Sequence, residues 1–180
     1  MPVPERFKLK PAPADLVVQM CDLCDAIEEA DDLTRDRLLA QWHEYAQRNC
    51  EGIEFETYWK ATDKETFVRE ALNPQPSLVG DVTYAEVAAI YEFVASAEGS
   101  EDELSYYLAW LEAQFPNSNV SDLIYWPDQW FGDPSLFRDA NGAFKPEAEL
   151  STDQILAYAM AKSQRRLADA PDVFLPFPLP

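Results

Sequence analysis

The sequence predicts a mostly α-helical protein. Three segments pair a Ser or Thr with a Glu or Gln three residues later, which is the pattern of a helix capping box. Each pair precedes apolar residues at helical spacing, so we expect a helix to begin at each one. The pairs are Thr83/Glu86, Ser100/Glu103 and Ser151/Gln154.

Composition is that of a packed protein without a membrane span. The chain has 180 residues, 47% of them hydrophobic, and no run of 18 apolar residues. The first ten residues lack the apolar core of a signal peptide. Three cysteines, an odd number, fit a reducing cytoplasm. Cys21 and Cys24 form a CxxC on a helical pattern, and we interpret them as packing thiols, with no metal or cofactor expected.

The charge distribution predicts a basic partner. The formal net charge is −19, and no Lys or Arg lies between Arg69 and Arg138. From Glu70 to Asp133 the chain contains 12 acidic residues. Such a surface repels nucleic acid and attracts a basic protein, so we expect no direct binding to DNA. The alternative is an acidic surface that serves solubility alone.

The N-terminal half predicts helices after an extended arm at residues 1–13. A helical domain then covers residues 14–72. Its expected elements are a helix over Ala14–Ala30, a helix capped by Thr34 and running to about Asn49, a short strand within Cys50–Lys60, and a helix opened by the Thr62/Glu65 pair.

The C-terminal half predicts a helical bundle after a Pro-rich linker at residues 73–80. The bundle covers residues 81–168, with Gly99 ending its first helix and the last helix reaching about Ala168. A turn-rich insertion occupies residues 128–150. The tail at residues 169–180 contains prolines that exclude a helix. Its apolar residues are expected to pack back on the fold, namely Val173, Phe174, Leu175 and Phe177.

One stretch, NVSDLIYWP at Asn119–Pro127, interrupts the helices. It predicts a short helical turn whose aromatic side chains are partly exposed. Tyr125 and Trp126 beside the Asp122 carboxylate are typical of a protein–protein hot spot, where rigid aromatic area gives affinity. The alternative is that both aromatic rings close the core and bind nothing.

The same stretch carries a family resemblance. SDLIYWP at Ser121–Pro127 resembles the SDLIYYP segment of the immunity proteins that neutralise colicin and pyocin nucleases. AEGSEDEL at Ala97–Leu104 is similar to the start of that family's second helix, and Glu112 falls ten residues before Asp122, as in the family. LSTDQILAYAM resembles a fourth helix. The resemblance covers roughly residues 82–166.

The resemblance implies a four-helix bundle that inhibits a basic nuclease toxin in the cytoplasm and is not an enzyme. It assigns the anchor contacts to Asp122, Tyr125 and Trp126, and an acidic contact to Glu112. Partner selection falls on the preceding helix, at Glu101, Leu104, Ser105 and Leu108. Three features depart from the family: Trp126 replaces a Tyr, the insertion lies beside the expected binding surface, and half of the chain lies outside the match.

Two alternatives stay open. The N-terminal half is either a separate helical or α+β domain or a diverged copy of the same unit, since Tyr58-Trp59 parallels Tyr125-Trp126. The function is alternatively that of an enzyme or regulatory domain, with its site on the N-terminal half or the insertion. The sequence has one histidine, His43, and no common catalytic fingerprint, which favours the binding protein.

Overall fold

The computed structural model describes residues 2–180 and is mostly helical. Over this range the chain forms ten α-helices and three short 3-10 helices. The only β-type pairing within residues 2–180 is an isolated bridge between Arg138 and Phe144. The prediction of a mostly α protein is confirmed, whereas the four-helix arrangement that the resemblance implies stays a prediction.

The chain divides into two compact units. The N-terminal unit consists of Lys8–Pro76 together with Ser100–Tyr106. The C-terminal unit consists of the segment that ends at Phe7, Ser77–Gly99 and Tyr107–Pro180.

In the N-terminal unit, one long helix packs against three others. The helices are α1 (Ala14–Glu29), α2 (Asp32–His43), α3 (Gly52–Thr57) and α4 (Lys64–Leu72), and α1 contacts the other three. The core contains Trp42, Phe55 and Phe67, whose ring centroids lie 4.9 to 5.8 Å apart. Cys24 is buried in the same core, and Cys21 is packed at its edge.

The strand expected within Cys50–Lys60 is wrong. The segment forms α3 and a 3-10 helix at Tyr58–Lys60. The Glu54 carboxylate accepts a hydrogen bond from the Glu51 N–H at 2.7 Å and closes the first helical turn. Phe55 then lies in the core with 1% of its surface exposed. The α+β alternative for the N-terminal half is therefore wrong as well.

Two helix starts were predicted at the wrong residue. Asp31, rather than Thr34, caps α2, and its carboxylate accepts the Thr34 N–H at 2.9 Å. Asp63, rather than Thr62, caps α4 by accepting the Thr66 N–H at 3.0 Å. Asp is a stronger N-cap than Thr. The second helix also ends at His43, not near Asn49.

In the C-terminal unit, the predicted capping boxes at Thr83/Glu86 and Ser151/Gln154 are confirmed. At the third predicted start, which belongs to the N-terminal unit, the Glu103 carboxylate accepts hydrogen bonds from the Ser100 N–H and hydroxyl. The helices are α5 (Tyr84–Ser96), α6 (Glu101–Gln114, whose first residues cluster with the N-terminal unit), α7 (Val120–Tyr125), α8 (Pro127–Trp130), α9 (Pro134–Phe137) and α10 (Thr152–Ser163). The helix α10 packs against α5 and α7.

Two helix ends differ from prediction. The helix α5 ends before Ala97, which takes a left-handed conformation with φ of 51°, so Gly99 is not the breaking residue. The helix α10 ends at Ser163 rather than near Ala168, because Gln164 is left-handed and stops it. The following Arg165 side chain donates to the Gln114 carbonyl at 2.7 Å.

The insertion and the tail share an aromatic cluster. Phe131 of the insertion lies against Tyr158 and Phe137, with centroids 4.9 and 5.3 Å apart. Phe177 of the tail packs on both Phe131 and Phe137, and its backbone N–H donates to the Tyr158 hydroxyl. The tail therefore packs back as predicted at Phe177, whereas Phe174 is 82% exposed and does not.

Candidate partner-binding surface

The stretch singled out by the sequence forms the six-residue helix α7 and the residue after it. Val120 and Leu123 point into the core, with 0% and 1% of their surfaces exposed. Tyr125 and Trp126 are 51% and 53% exposed, and Asp122 is exposed beside them. The predicted short turn with exposed aromatic residues is confirmed. We call Asp122, Tyr125 and Trp126 the anchor surface.

A set of hydrogen bonds holds α7 in place. The Glu112 carboxylate accepts from both the Ser121 N–H and the Ser121 hydroxyl, at 2.7 and 2.8 Å. The Trp130 indole N–H donates to the Ser118 carbonyl at 2.6 Å. Asn119 takes a left-handed conformation that turns the chain into α7, and Asn tolerates this better than most residues. These bonds fix the direction in which the anchor surface faces.

The anchor surface has no polar partner within the described chain. Across residues 2–180, the Asp122 carboxylate meets no cation, and neither the Tyr125 hydroxyl nor the Trp126 indole N–H makes a hydrogen bond. The exposed rings leave apolar area in water, and the polar groups are available to another molecule. This combination suits a binding contact better than a solvated surface.

The other predicted site residues fall into two groups. In the C-terminal unit, Glu112 positions α7 through Ser121, and Leu108 is half-buried on α6. Glu101, Leu104 and Ser105 belong to the N-terminal unit, where Glu101 and Ser105 are exposed and Leu104 is half-buried. The structure therefore places Glu112 beside the anchor surface through its bonds to Ser121, whereas Glu101, Leu104 and Ser105 belong to the other unit.

A cleft of about 400 Å³ adjoins Tyr125, and sequence reasoning missed it. Besides Tyr125, its lining includes Tyr91 from α5, Ile155 from α10, and Phe144 and Glu149 from the insertion. In the sequence, Tyr91 fits only the pattern of a core residue of a helix, and Glu149 is distinguished only by its negative charge. Their proximity depends on how the insertion folds, so no local pattern could have revealed the cleft.

The contacts of Cys24 and His43 indicate a structural role for both side chains. The Cys24 thiol lies 3.4 Å from the Glu28 carboxylate, and burial, together with Glu28, raises its pKa to about 12. The His43 Nε2 atom lies 2.9 Å from the Cys50 carbonyl oxygen and 3.3 Å from the Cys50 backbone nitrogen. No group of three metal-ligating side chains is present within residues 2–180. Cys24 and His43 thus contribute to packing and to the α2–α3 connection.

No protein-family model, curated protein or solved structure matches this chain. In the part that the structure describes, each helix is either too short or too polar to cross a membrane.

Proposed function

We propose that this protein binds and inhibits a basic nuclease toxin domain, with the anchor surface as its central contact. The observation that carries the proposal is a pair of half-exposed aromatic side chains beside an unpaired carboxylate, on helix α7 and the residue after it. Hydrogen bonds with the neighbouring residues Glu112 and Trp130 hold this segment in place. Rigid aromatic anchors beside a charge are the usual composition of binding hot spots. The resemblance of Ser121–Pro127 to nuclease immunity proteins supports the class of partner.

The charge of the C-terminal unit supports a basic partner. Every Lys and Arg that the structure describes there already donates to a group within the unit, namely Arg6, Arg138, Lys145, Lys162, Arg165 and Arg166. Asp122 is left with its full charge facing water. A cationic side chain of the partner would pair with it, and the wider acidic surface would accelerate encounter.

Inhibition follows from exclusion of the substrate. An acidic protein bound on a basic nuclease surface occupies the surface on which DNA would lie and repels its phosphates. The protein needs no catalysis of its own, and it acts where the toxin would reach DNA, in the cytoplasm. We expect it to give no retarded DNA band at about 150 mM salt, where weak ionic contacts are screened.

The first test is whether the neighbouring open reading frame encodes a basic nuclease domain, and that domain is then the partner to assay. We expect tight binding by calorimetry and loss of DNA cleavage at a one-to-one ratio. Asp122→Ala and Trp126→Ala should each weaken binding by about 2 kcal/mol or more, roughly 30-fold, because each leaves a partner group buried without its contact.

The matched control is Trp59→Ala, which removes an exposed Trp from the N-terminal unit. It should leave the affinity unchanged. The proposal fails if the neighbouring frame encodes no basic nuclease, if the two proteins do not bind, or if Trp59→Ala and Trp126→Ala weaken binding equally.

A further inference from the structure

The cleft beside Tyr125 combines an aromatic wall with one charge. Tyr125 and Phe144 contribute ring surface, Phe144 being 44% exposed, and Glu149 contributes a carboxylate. The volume of about 400 Å³ lies within the roughly 300–1,000 Å³ typical of ligand clefts. It is large enough to receive one long side chain.

Two polar groups of the cleft lack internal partners. Tyr91 is only 7% exposed, yet its hydroxyl makes no hydrogen bond within residues 2–180. The Glu149 side chain likewise has neither a hydrogen bond nor a cation across the same residues. The Tyr91 hydroxyl is not among the fully buried unpaired polar atoms of residues 2–180, so it is open to water or to a ligand in the cleft. Tyr91 and Glu149 both line the cleft and offer a ligand two polar contacts.

The electrostatics of the cleft favour a cation. Burial is the main cause that raises the pKa of Tyr91 to about 12, and the Glu92 and Glu149 carboxylates add to it. The Thr152 hydroxyl donates to Glu92, which keeps that second carboxylate next to Tyr91. Among the described residues, the lining of the cleft includes no Lys or Arg. A cation entering the cleft would therefore meet negative charge without competition from a basic side chain of the lining.

We propose that this cleft is a specificity pocket for one arginine side chain of the protein partner. A guanidinium group is planar, so it stacks on aromatic rings such as Tyr125 while its N–H groups donate to Glu149 and to the Tyr91 hydroxyl. A lysine ammonium would make the ion pair but not the stacked contact. The identity of the partner rests on the proposed function, whereas the chemistry of the pocket does not.

The pocket makes the insertion part of recognition. Phe144 and Glu149 lie within residues 128–150, and the cleft adjoins Tyr125 of the anchor surface. The anchor surface would supply the central contact, and the arginine pocket would discriminate between partners. A partner side chain that lacks the positive charge or the planar group of arginine would leave the polar groups of the pocket unpaired.

The test needs no nuclease. The full chain, with its Tyr and Ile side chains observed by NMR, is titrated with a blocked Gly-Arg-Gly peptide and with its citrulline and lysine versions. Citrulline has nearly the same shape as arginine but no charge. We expect saturable shifts confined to cleft residues such as Ile155, with millimolar affinity for the arginine peptide, weaker binding of the lysine peptide, and none of the citrulline peptide.

Two variants separate the pocket from general acidity. Glu149→Gln should weaken the arginine peptide about tenfold, the loss expected for one charge-assisted hydrogen bond. The matched control is Glu147→Gln, an exposed acid nearby that does not line the cleft, and it should change nothing. Three outcomes would contradict the proposed arginine pocket. They are equal binding of the arginine and citrulline peptides, no binding of the arginine peptide, and equal effects of the two variants.

This outcome is distinguishable from that of the proposed function. If the arginine peptide binds but no nuclease does, the arginine pocket is supported and the toxin partner is contradicted. If the protein inhibits a nuclease but the cleft binds no peptide, the toxin partner is supported and the arginine pocket is contradicted. In the second case, Glu149→Gln would also leave the nuclease affinity unchanged.

Discussion

Two Tyr-Trp pairs in this chain have opposite surroundings. Tyr58 stacks on Phe67 with centroids 4.7 Å apart, and its hydroxyl donates to Glu28 at 2.8 Å. The Trp59 indole N–H donates to the Glu56 carbonyl, and the Lys60 ammonium lies 5.5 Å from its ring centroid. The polar groups of the first pair are therefore satisfied inside the N-terminal unit.

The second pair, Tyr125 and Trp126, is left without such contacts. No side-chain hydrogen bond or ring contact involves either residue within residues 2–180, and about half of each residue is exposed. Both pairs follow or end a six-residue helix, α3 or α7. The Tyr-Trp sequence therefore does not by itself make a binding site, since the neighbouring residues decide whether its polar groups already have partners.

The largest expected effect tests whether α7 is divided into a core side and an outer side. Leu123→Ala removes a side chain that is 1% exposed and should lower the free energy of unfolding by about 2–5 kcal/mol. Trp126→Ala should lower it by under about 1 kcal/mol, because surface truncations cost little. Urea unfolding followed by circular dichroism measures both. A loss from Trp126→Ala as large as that from Leu123→Ala would place Trp126 in the core.

An intermediate effect compares the two tyrosines directly. Tyr58→Ala loses the stacked contact with Phe67 and the hydrogen bond to Glu28, so we expect a loss of about 1–3 kcal/mol of unfolding free energy. Tyr125→Ala should change it by under about 0.5 kcal/mol. Thermal melting of the two variants side by side is the measurement. Equal destabilisation would remove the distinction between the pairs.

The sequence predicted the features that depend on local contacts. Capping boxes such as Thr83/Glu86 involve a side chain and a backbone group one turn away, so a short pattern contains them. The exposed end of α7 was predictable for a similar reason, because Pro127 stops the helix just after its aromatic residues. The same reasoning failed at Ile53 to Thr57, where alternation suggested a strand but Glu54 closed a helical turn.

The cleft depends on distant contacts and was not predictable. Tyr91 and Glu149 are far apart in the sequence, and only the folded insertion brings them to one lining. The different surroundings of Tyr58 and Tyr125 also come from distant residues, since Glu28 and Phe67 lie on α1 and α4. The alternative that the two halves are diverged copies of one unit stays a prediction; each half contains a six-residue helix, α3 or α7, at its Tyr-Trp pair.

The smallest expected effect concerns the carboxylate that follows each pair. After Trp59, Asp63 accepts the Thr66 N–H, which lowers its pKa. After Trp126, Asp128 is buried and accepts from the Arg138 guanidinium at 2.6 Å, which lowers its pKa below the ordinary value. A lowered pKa means that the unfolded chain binds a proton more readily than the folded protein does. Both contributions are therefore present at neutral pH and are lost as the pH falls below about 4.

Asp128 should supply the larger share of this acid dependence, because it is buried and paired with a full charge, whereas Asp63 is exposed. We expect Asp128→Asn to remove about 1 kcal/mol of the difference in unfolding free energy between pH 6 and pH 3, and Asp63→Asn to remove less. Urea midpoints of both variants and the parent protein at the two pH values give the comparison. If Asp128→Asn keeps the acid dependence of the parent protein, the ion pair with Arg138 does not stabilise the segment after the anchor surface, and the bonds of Glu112 and Trp130 must hold it alone.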